Sequence, residues 1–371
     1  MISDLKVSSL EAFAVAMPLV DVFTSGGKSK NVAKSVVVRI TASDGSVGIS
    51  SADPSSRAVF PERAEDLSHT INKKLKPKLI GQSPFNINLI LKIIANSTQT
   101  QLGARAAIET ACIDLICRRF GVSLCDYLGG ALTPTVDFNG WVGELPPDEA
   151  AVEALGWVKA GFKSMKIKVG SDLSQDIERV LAIRNEVGTS VRLRVDANEQ
   201  YSIKDALKLD AAVKNCDLEL FEQPVIRSDL EGLAEVRRKC KTPIMVDESI
   251  SDHSSLLRVI RADCADYVKF GVAQAGGVIA AGKMISTAAA AGLKVVMGHG
   301  FGLNPSTMAE IMVGAAFENI LPGLECVGPL KAADTVTKEA LDISQGYFAL
   351  PTNPGLSVTF DDEKLARYRI D

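Results

Sequence analysis

The spacing of apolar positions changes character along the chain. Over roughly the first 60 residues β-branched runs dominate, as in VAKSVVVRI before Asp44-Gly45 and VGIS after it. Such runs flanking an Asp-Gly dipeptide predict two strands joined as a hairpin. From about residue 60 to 130 the period becomes helical. The segment ARAAIETACIDLICRRFG (104–121) brings Ala107, Ile108, Ala111, Ile116 and Phe120 near one helical spacing. Its basic last turn, Arg118-Arg119, followed by Gly121, suits a helix C-terminus. Residues 1–130 are therefore expected to form an α+β unit distinct from the remainder of the chain.

From about residue 135 short apolar runs alternate with helical segments. The runs are TVDFNGWV, SMKIKV, VRLRVDAN, LELFEQP, PIMVDES, YVKFG and KVVMGHG. Polar or small residues mark the C-terminal ends of the last six: Lys168, Asp196, Glu222, Asp247, Gly271 and His299, at intervals of 28, 26, 25, 24 and 28 residues by subtraction. Each interval is the length of one strand–helix unit, and serial units of this kind make parallel strands. The expected fold class is α/β, with residues 131–335 forming a (β/α) barrel whose active site lies at the C-terminal strand ends. An open doubly wound sheet is disfavoured, because no G-x-G-x-x-G follows an early strand.

Bulk properties narrow the function mainly by exclusion. The 371 residues carry a net charge of −4 with no basic run, so no nucleic acid is expected as a partner. No run of about 18 uninterrupted apolar residues appears, and the acidic Asp4 and Glu11 do not suit a signal peptide, so neither a spanning helix nor secretion is expected. Seven cysteines without a C-x-x-C pair argue against both a thiolate metal site and a disulfide framework. They suit free thiols in a reducing cytoplasm.

Candidate chemistry gathers at the strand ends. Asp196, Glu222 and Asp247 end three consecutive strands and would converge at the mouth of a barrel. One strand-end acid is more simply a helix cap or the partner of a nearby base. Three in register repel one another unless a cation is present, and oxygen-only ligands favour Mg²⁺ over zinc. Lys166 and Lys168 lie two apart in one strand and so project to one face, where each ammonium lowers the pKa of the other. That arrangement suits a lysine base at neutral pH, although an exposed edge strand would show the same alternation.

Taken together, K-x-K (Lys166, Lys168), D-A-N (Asp196, Asn198), E-Q-P (Glu222, Gln223, Pro224) and D-E-S (Asp247, Glu248, Ser249) resemble the mandelate racemase and muconate-lactonizing branch of the enolase superfamily. The segment 104–130, the Gly276-Gly277 pair and the tail PTNPGLSV (351–358) resemble further parts of that family. The resemblance implies a modified (β/α)7β barrel, a capping domain completed by residues 336–371, and a homo-oligomer. It also implies abstraction of the α-proton of a small carboxylate through an enediolate. Asp196, Glu222 and Asp247 would hold Mg²⁺, Lys168 would be the base, Lys166 its electrostatic neighbour, and Asn198 and Glu248 would orient these groups.

The chain departs from the family pattern at one place. Racemising and cycloisomerising members usually carry a second lysine five residues before the double glycine, and members with a His–Asp dyad an aspartate; here the residue is Gly271. Two substitutes are visible. Lys269 shares the parity of position 271 one layer deeper, and would act either as the missing acid/base or as a lysine paired with a carboxylate. His299 would line the mouth and could protonate a leaving hydroxyl. The loop 21–31 resembles a lid, and its Lys28 and Lys30 would either meet a second anionic or polar substrate group or be solvated. The segment 50–60 would supply the other lip. The expected activity is that of a racemase, epimerase or cycloisomerase. A hydroxy-acid dehydratase using Lys168 and His299 is the alternative, and a non-catalytic metal- and carboxylate-binding barrel a third reading.

Overall fold

The structure is a computed structural model that describes residues 5–25, 28–54, 62–98, 100–298 and 300–371, with backbone alone for 23–25 and 28. Strands β1 (Val7–Ser25), β2 (Lys28–Ala42) and β3 (Val47–Ala52) form an antiparallel sheet in chain order. The expected hairpin at Asp44-Gly45 is present, but with a three-residue loop in place of the two-residue one. Gly45 N donates to the Ala42 carbonyl at 3.0 Å, and Gly45 takes φ +86°. The Asp44 carboxylate caps this turn by accepting the Ser46 N–H at 2.9 Å.

Helix α1 (Leu102–Phe120) lies on this sheet and ends, as expected, at Gly121 with φ +69°. Its Ala107, Ala111 and Leu115 share a buried core with Leu10, Val36 and Val38. The approach is close enough that a Cβ on Gly48 would lie 2.1 Å from the Ala111 carbonyl oxygen, so β3 requires glycine there.

The second part is a parallel sheet of seven strands in chain order: β4 (Gly140–Val142), β5 (Ser164–Lys168), β6 (Arg192–Asp196), β7 (Leu218–Glu222), β8 (Ile244–Val246), β9 (Tyr267–Phe270) and β10 (Lys294–Met297). Each of the seven apolar runs forms a strand. The first of them, 135–142, breaks into Thr135–Asp137 and β4, and Thr135–Asp137 pairs with Tyr347–Ala349 near the C-terminus. The curled sheet is closed by the irregular segment 319–325. On one side Leu321 N donates to Val295 O at 2.8 Å and Glu325 N to Met297 O at 2.9 Å; on the other, Leu324 N donates to Asp137 O at 2.8 Å. Inside, Leu220, Met245, Val296 and Leu321 form a small apolar cluster. Leu220 and Met245 lie two residues before Glu222 and Asp247, so each pair shares the inward face, the apolar side chain one layer below the acid.

The C-terminal residues return to the N-terminal unit. The buried Asp114 carboxylate of α1 accepts the Ile49 N–H at 2.8 Å, the Leu356 N–H at 2.6 Å and the Arg118 Nε–H at 2.8 Å. Arg118 also donates to the Val358 carbonyl at 2.6 Å, and Ile370 N to Ala14 O at 2.9 Å. Where helix α1 meets the barrel, Glu109 accepts the Ile279 N–H at 2.5 Å. The preceding Gly276 and Gly277 both have positive φ, and a Cβ on Gly277 would lie 2.4 Å from the Glu109 carboxylate. This gives the double glycine a steric cause. All seven cysteines are free, and no helix among the described residues is long and apolar enough to cross a membrane.

Asp114 joins sheet, helix and tail through one buried carboxylate. Asp114→Ala is expected to lower stability by about 3–5 kcal/mol, read as a fall in the urea midpoint. A loss below about 1 kcal/mol would mean that the tail is held by other contacts.

Candidate active site

The C-terminal ends of β5 to β9 converge on one buried cluster. Asp196 and Asp247 are each 1% exposed and Glu222 is fully buried. Lys166 donates to Glu222 Oε2 at 2.9 Å and approaches Asp196 Oδ2 at 3.3 Å. Lys269 donates to Glu222 Oε1 at 3.0 Å and approaches Asp247 Oδ2 at 3.3 Å. The three sequence-expected acids are thus linked pairwise by two ammonium groups. Lys168 stands nearer the cavity, donating to Asp196 Oδ2 at 2.7 Å and Asn198 Oδ1 at 2.6 Å. Asn198 is itself held by Glu248 at 2.9 Å.

The loops after β6 and β7 take left-handed backbone without glycine. Asn198, Glu199 and Gln223 take φ values of +42°, +73° and +35°, a region that is costly for residues with a Cβ and is retained where surrounding bonds fix it. Gln223 supplies such bonds: its Oε1 accepts the Asp247 N–H at 3.0 Å, and its Nε2 donates to Val225 O at 3.0 Å. The E-Q-P motif therefore fastens the end of β7 to the end of β8.

The cluster contains two residues that no sequence motif singled out. Glu325, at the end of the closing segment, accepts from Lys166 at 2.5 Å and lies 2.7 Å from the Lys269 ammonium. Arg194 is fully buried on β6 and donates to Glu219 at 2.6 Å and to the carbonyls of Pro322 and Gly323 at 2.7 and 2.9 Å; its Nη1 also lies 3.4 Å from Glu325. Glu325 had a signal in the numbering. One further interval of 26 residues beyond His299 lands on it.

The electrostatics differ from those expected of a mutually repelling lysine pair. Burial disfavours the charge on Lys166, but Glu222 and Glu325 outweigh it and hold its pKa above the ordinary lysine value. Burial likewise opposes ionisation of Asp196 and Glu325. The surrounding lysines, joined at Glu325 by Arg194, outweigh it and hold both carboxyls below the usual range. Burial, with Asp196 beside it, pushes Glu222 up to about 8 against the pull of Lys166 and Lys269.

The cluster opens into a cavity of about 470 Å³ lined by Lys166, Lys168, Asp196, Lys269, Asn198 and Glu325 at its base. Lys30, Trp141, Gln274, Phe301 and Lys331 line it farther out. Lys269 does touch this cavity, but its ammonium is held by Glu222, Asp247 and Glu325 rather than standing clear above Gly271. His299, the side chain of Lys28, and residues 26–27 and 55–60 of the two expected lips lie outside the described residues.

A parallel barrel with acids at successive strand ends, beside a K-x-K strand, agrees with the resemblance to the enolase superfamily that the sequence carries. Residues 10–129 match the family described as mandelate racemase / muconate lactonizing enzyme, N-terminal domain, and residues 149–364 match the enolase C-terminal domain-like family. The chain belongs to this mandelate racemase and muconate lactonizing enzyme family. It is 31% identical over 357 residues to L-Ala-D/L-Glu epimerase of Bacillus subtilis, covering 95% of this chain and 97% of the relative. The solved N-succinyl Arg/Lys racemase of Bacillus cereus superposes with a TM-score of 0.92 at 26% identity, over 99% of this chain and 98% of that one. A dipeptide epimerase of Enterococcus faecalis, solved in complex with Mg and the dipeptide L-Leu-L-Tyr, gives 0.90 at 29% identity, over 95% and 99%.

Glu325 is the shared acceptor of three buried cations. Glu325→Gln is expected to cost about 3–5 kcal/mol of stability at neutral pH. The ionised carboxyl is favoured in the folded state, so its contribution is complete above the reference value of 4.5 and is lost as pH falls through the folded value. The variant should therefore show a shallower fall in stability on the acid side. An unchanged acid limb in thermal melts across that range would contradict this.

Proposed function

We propose that the protein is an isomerase of small carboxylates whose α-proton chemistry runs through one lysine, Lys168. The asymmetry of the mouth carries this reading. Lys168 reaches the cavity beside Asp196 and Asn198, whereas the facing strand ends in Gly271 and the ammonium of Lys269 is surrounded by three carboxylates. An ammonium so held has its hydrogens directed at protein oxygens rather than at substrate.

Asp196, Glu222 and Asp247 suit a hard divalent cation such as Mg²⁺. They are carboxylates alone, on adjacent strands, and close enough together to share ammonium partners pairwise. Such an ion, when bound, supplies positive charge to the substrate carboxylate as the α-carbon loses its proton. Lys168 takes that proton, or returns one to the same face. Asp196 and Asn198 fix the lysine amine, Glu248 fixes Asn198, and Lys166 steadies Asp196 and Glu222 against each other's charge. Cycloisomerisation fits a one-lysine site, because ring opening or closure needs proton delivery on one face only. Exchange of configuration through two bases would need a second group opposite.

In D₂O with Mg²⁺, α-deuteration of a bound chiral carboxylate is expected from one enantiomer and not from its mirror image. Equal exchange from both would overturn the one-lysine reading. Lys168→Met should reduce exchange by about 10²–10⁴-fold with the fold intact by circular dichroism. Lys269→Met removes an ammonium that touches two of the three proposed ligands. Calorimetry on chelator-stripped protein is expected to show Mg²⁺ binding about tenfold tighter in that variant; unchanged affinity would mean that Lys269 does not compete with the ion.

A further inference from the structure

Behind the strand that carries Lys168 lies a polar cluster that the proton chemistry does not use. Helix α2 (Leu173–Val187) follows β5 and buries Asp176 and Arg179 one turn apart. Asp176 accepts the Gly170 N–H at 2.7 Å and the Tyr201 hydroxyl at 2.6 Å on one oxygen, and Arg179 Nη1 at 2.6 Å on the other. Arg179 Nη1 also donates to the Lys168 carbonyl at 3.0 Å, and its Nε to the Leu145 carbonyl at 2.6 Å. Tyr201 in turn donates its N–H to Pro224 O at 3.1 Å. One buried ion pair thus fastens the segments that leave β4, β5 and β6. None of the three side chains lines the cavity.

The contact with the Lys168 carbonyl falls where the sheet itself gives out. The pairing of β4 with β5 ends at Val142 and Ile167, one residue short of Lys168. The C=O and N–H of one peptide group point in opposite directions. Val169 N–H turns to β6 and donates to Asp196 O at 3.0 Å, so the Lys168 carbonyl turns to the β4 side, past the last ladder pair. Arg179 supplies the donor there. Lys168 is consequently held at both ends, its carbonyl by Arg179 and its amine by Asp196 and Asn198. Stability alone does not call for such a cluster, since apolar residues of similar volume serve a core as well as a buried ion pair, or better. Burial, then the bond to Asp176, holds the Tyr201 phenol well above the ordinary tyrosine value, so it stays a donor. The same helix offers a contrast. Arg184 donates to the carbonyls of Cys216, Gly188 and Val191 at 2.8, 2.5 and 2.8 Å, just before β6 and β7 begin, at the opposite end of the strands.

We propose that Arg179, with Asp176 and Tyr201 behind it, positions the lysine base: it fixes the peptide at the end of β5 so that the Lys168 amine stays at the cavity beside Asp196 and Asn198. The proposal rests on the reading of Lys168 as the base. Arg179 is a positioning residue, because it acts through the Lys168 backbone from outside the cavity. Its removal displaces the amine without changing the charge that lines the cavity. A displacement of about 1 Å in a reacting group costs on the order of 10² in rate.

The amine itself reports on this without a substrate. The full chain in Mg²⁺ buffer is exposed to a trace of acetic anhydride, and acetylation of each lysine is followed by peptide mass spectrometry. Lys331, which lines the same cavity, serves as the reference amine. Arg179→Lys keeps a positive charge beside Asp176 but lacks the planar fork that spans both carbonyls. Release of one hydrogen-bonded constraint predicts that Lys168 is acetylated about threefold to tenfold faster, relative to Lys331, in that variant. Arg179→Met combined with Asp176→Asn leaves no unmatched buried charge and should show the same rise; Tyr201→Phe should show a smaller one. Arg184→Lys loses a comparable set of carbonyl contacts and is expected to melt earlier with the Lys168 ratio unchanged. An unmoved ratio in a folded Arg179 variant overturns the proposal. So does an equal rise in Arg184→Lys, which would make the effect a general loosening. A raised ratio in Arg179→Lys, in a protein that deuterates no α-carbon, would sink the one-lysine isomerase and leave the positioning standing.

Discussion

Four carboxylates buried at the end of one barrel impose the constraint on which the rest of this structure depends. Isolated, each would resist ionisation, since burial of a charge costs several kcal/mol. Lys166, Lys168, Lys269 and Arg194 offset that cost by lying within reach of two or more acceptors apiece. The cluster also reinforces the closure of the barrel. The irregular segment 319–325 is joined to its neighbours by backbone bonds, and Glu325 with the carbonyls of Pro322 and Gly323 further fastens it to Arg194. Charge compensation and barrel closure thus meet in one segment.

The N-terminal unit is tied to this barrel by acids of a different kind. Glu109 and Asp114 are both buried on α1, on different sides of it, and accept backbone N–H groups from a barrel helix, a cap strand and the returning tail. The cap is therefore fixed at its base, while Lys30 approaches the cavity from the far end of β2. A cavity walled by both units lets the barrel supply the chemistry and the cap vary the substrate, a division of labour common when catalytic groups sit on a rigid scaffold and loops complete the site.

Much of the architecture could be read from the chain because it rests on periodicity. The seven runs, the helix ending at Gly121 and the strand-end acids all follow from local spacing. Glu325 escaped because its segment forms no regular strand and lacks an apolar run to announce it, although the interval from His299 pointed there. Arg194 sits between apolar neighbours in RLRVD and looks like a surface residue until the barrel closes over it. Lys331 meets Trp141 and Phe301, which lie 190 and 30 residues away by subtraction, so no local pattern could have revealed the contact. The lysine pair was expected to be tuned by mutual repulsion. At Lys166 the surrounding carboxylates decide the outcome instead.

The placement of Lys269 has a consequence beyond this site. Compared with the pattern the chain otherwise resembles, a lysine is found two residues earlier on the same strand, with glycine where it would have been. The pleat repeats every two residues, so the side chain keeps its facing and moves by about 7 Å along the strand. Net charge, strand register and composition of the strand end stay almost unchanged, yet the ammonium comes to lie one layer deeper, among Glu222, Asp247 and Glu325. On the proposed one-lysine reading, a barrel can in this way exchange a proton carrier for a counter-ion by sliding one residue type a single pleat. Divergence of this sort would leave little trace in overall similarity.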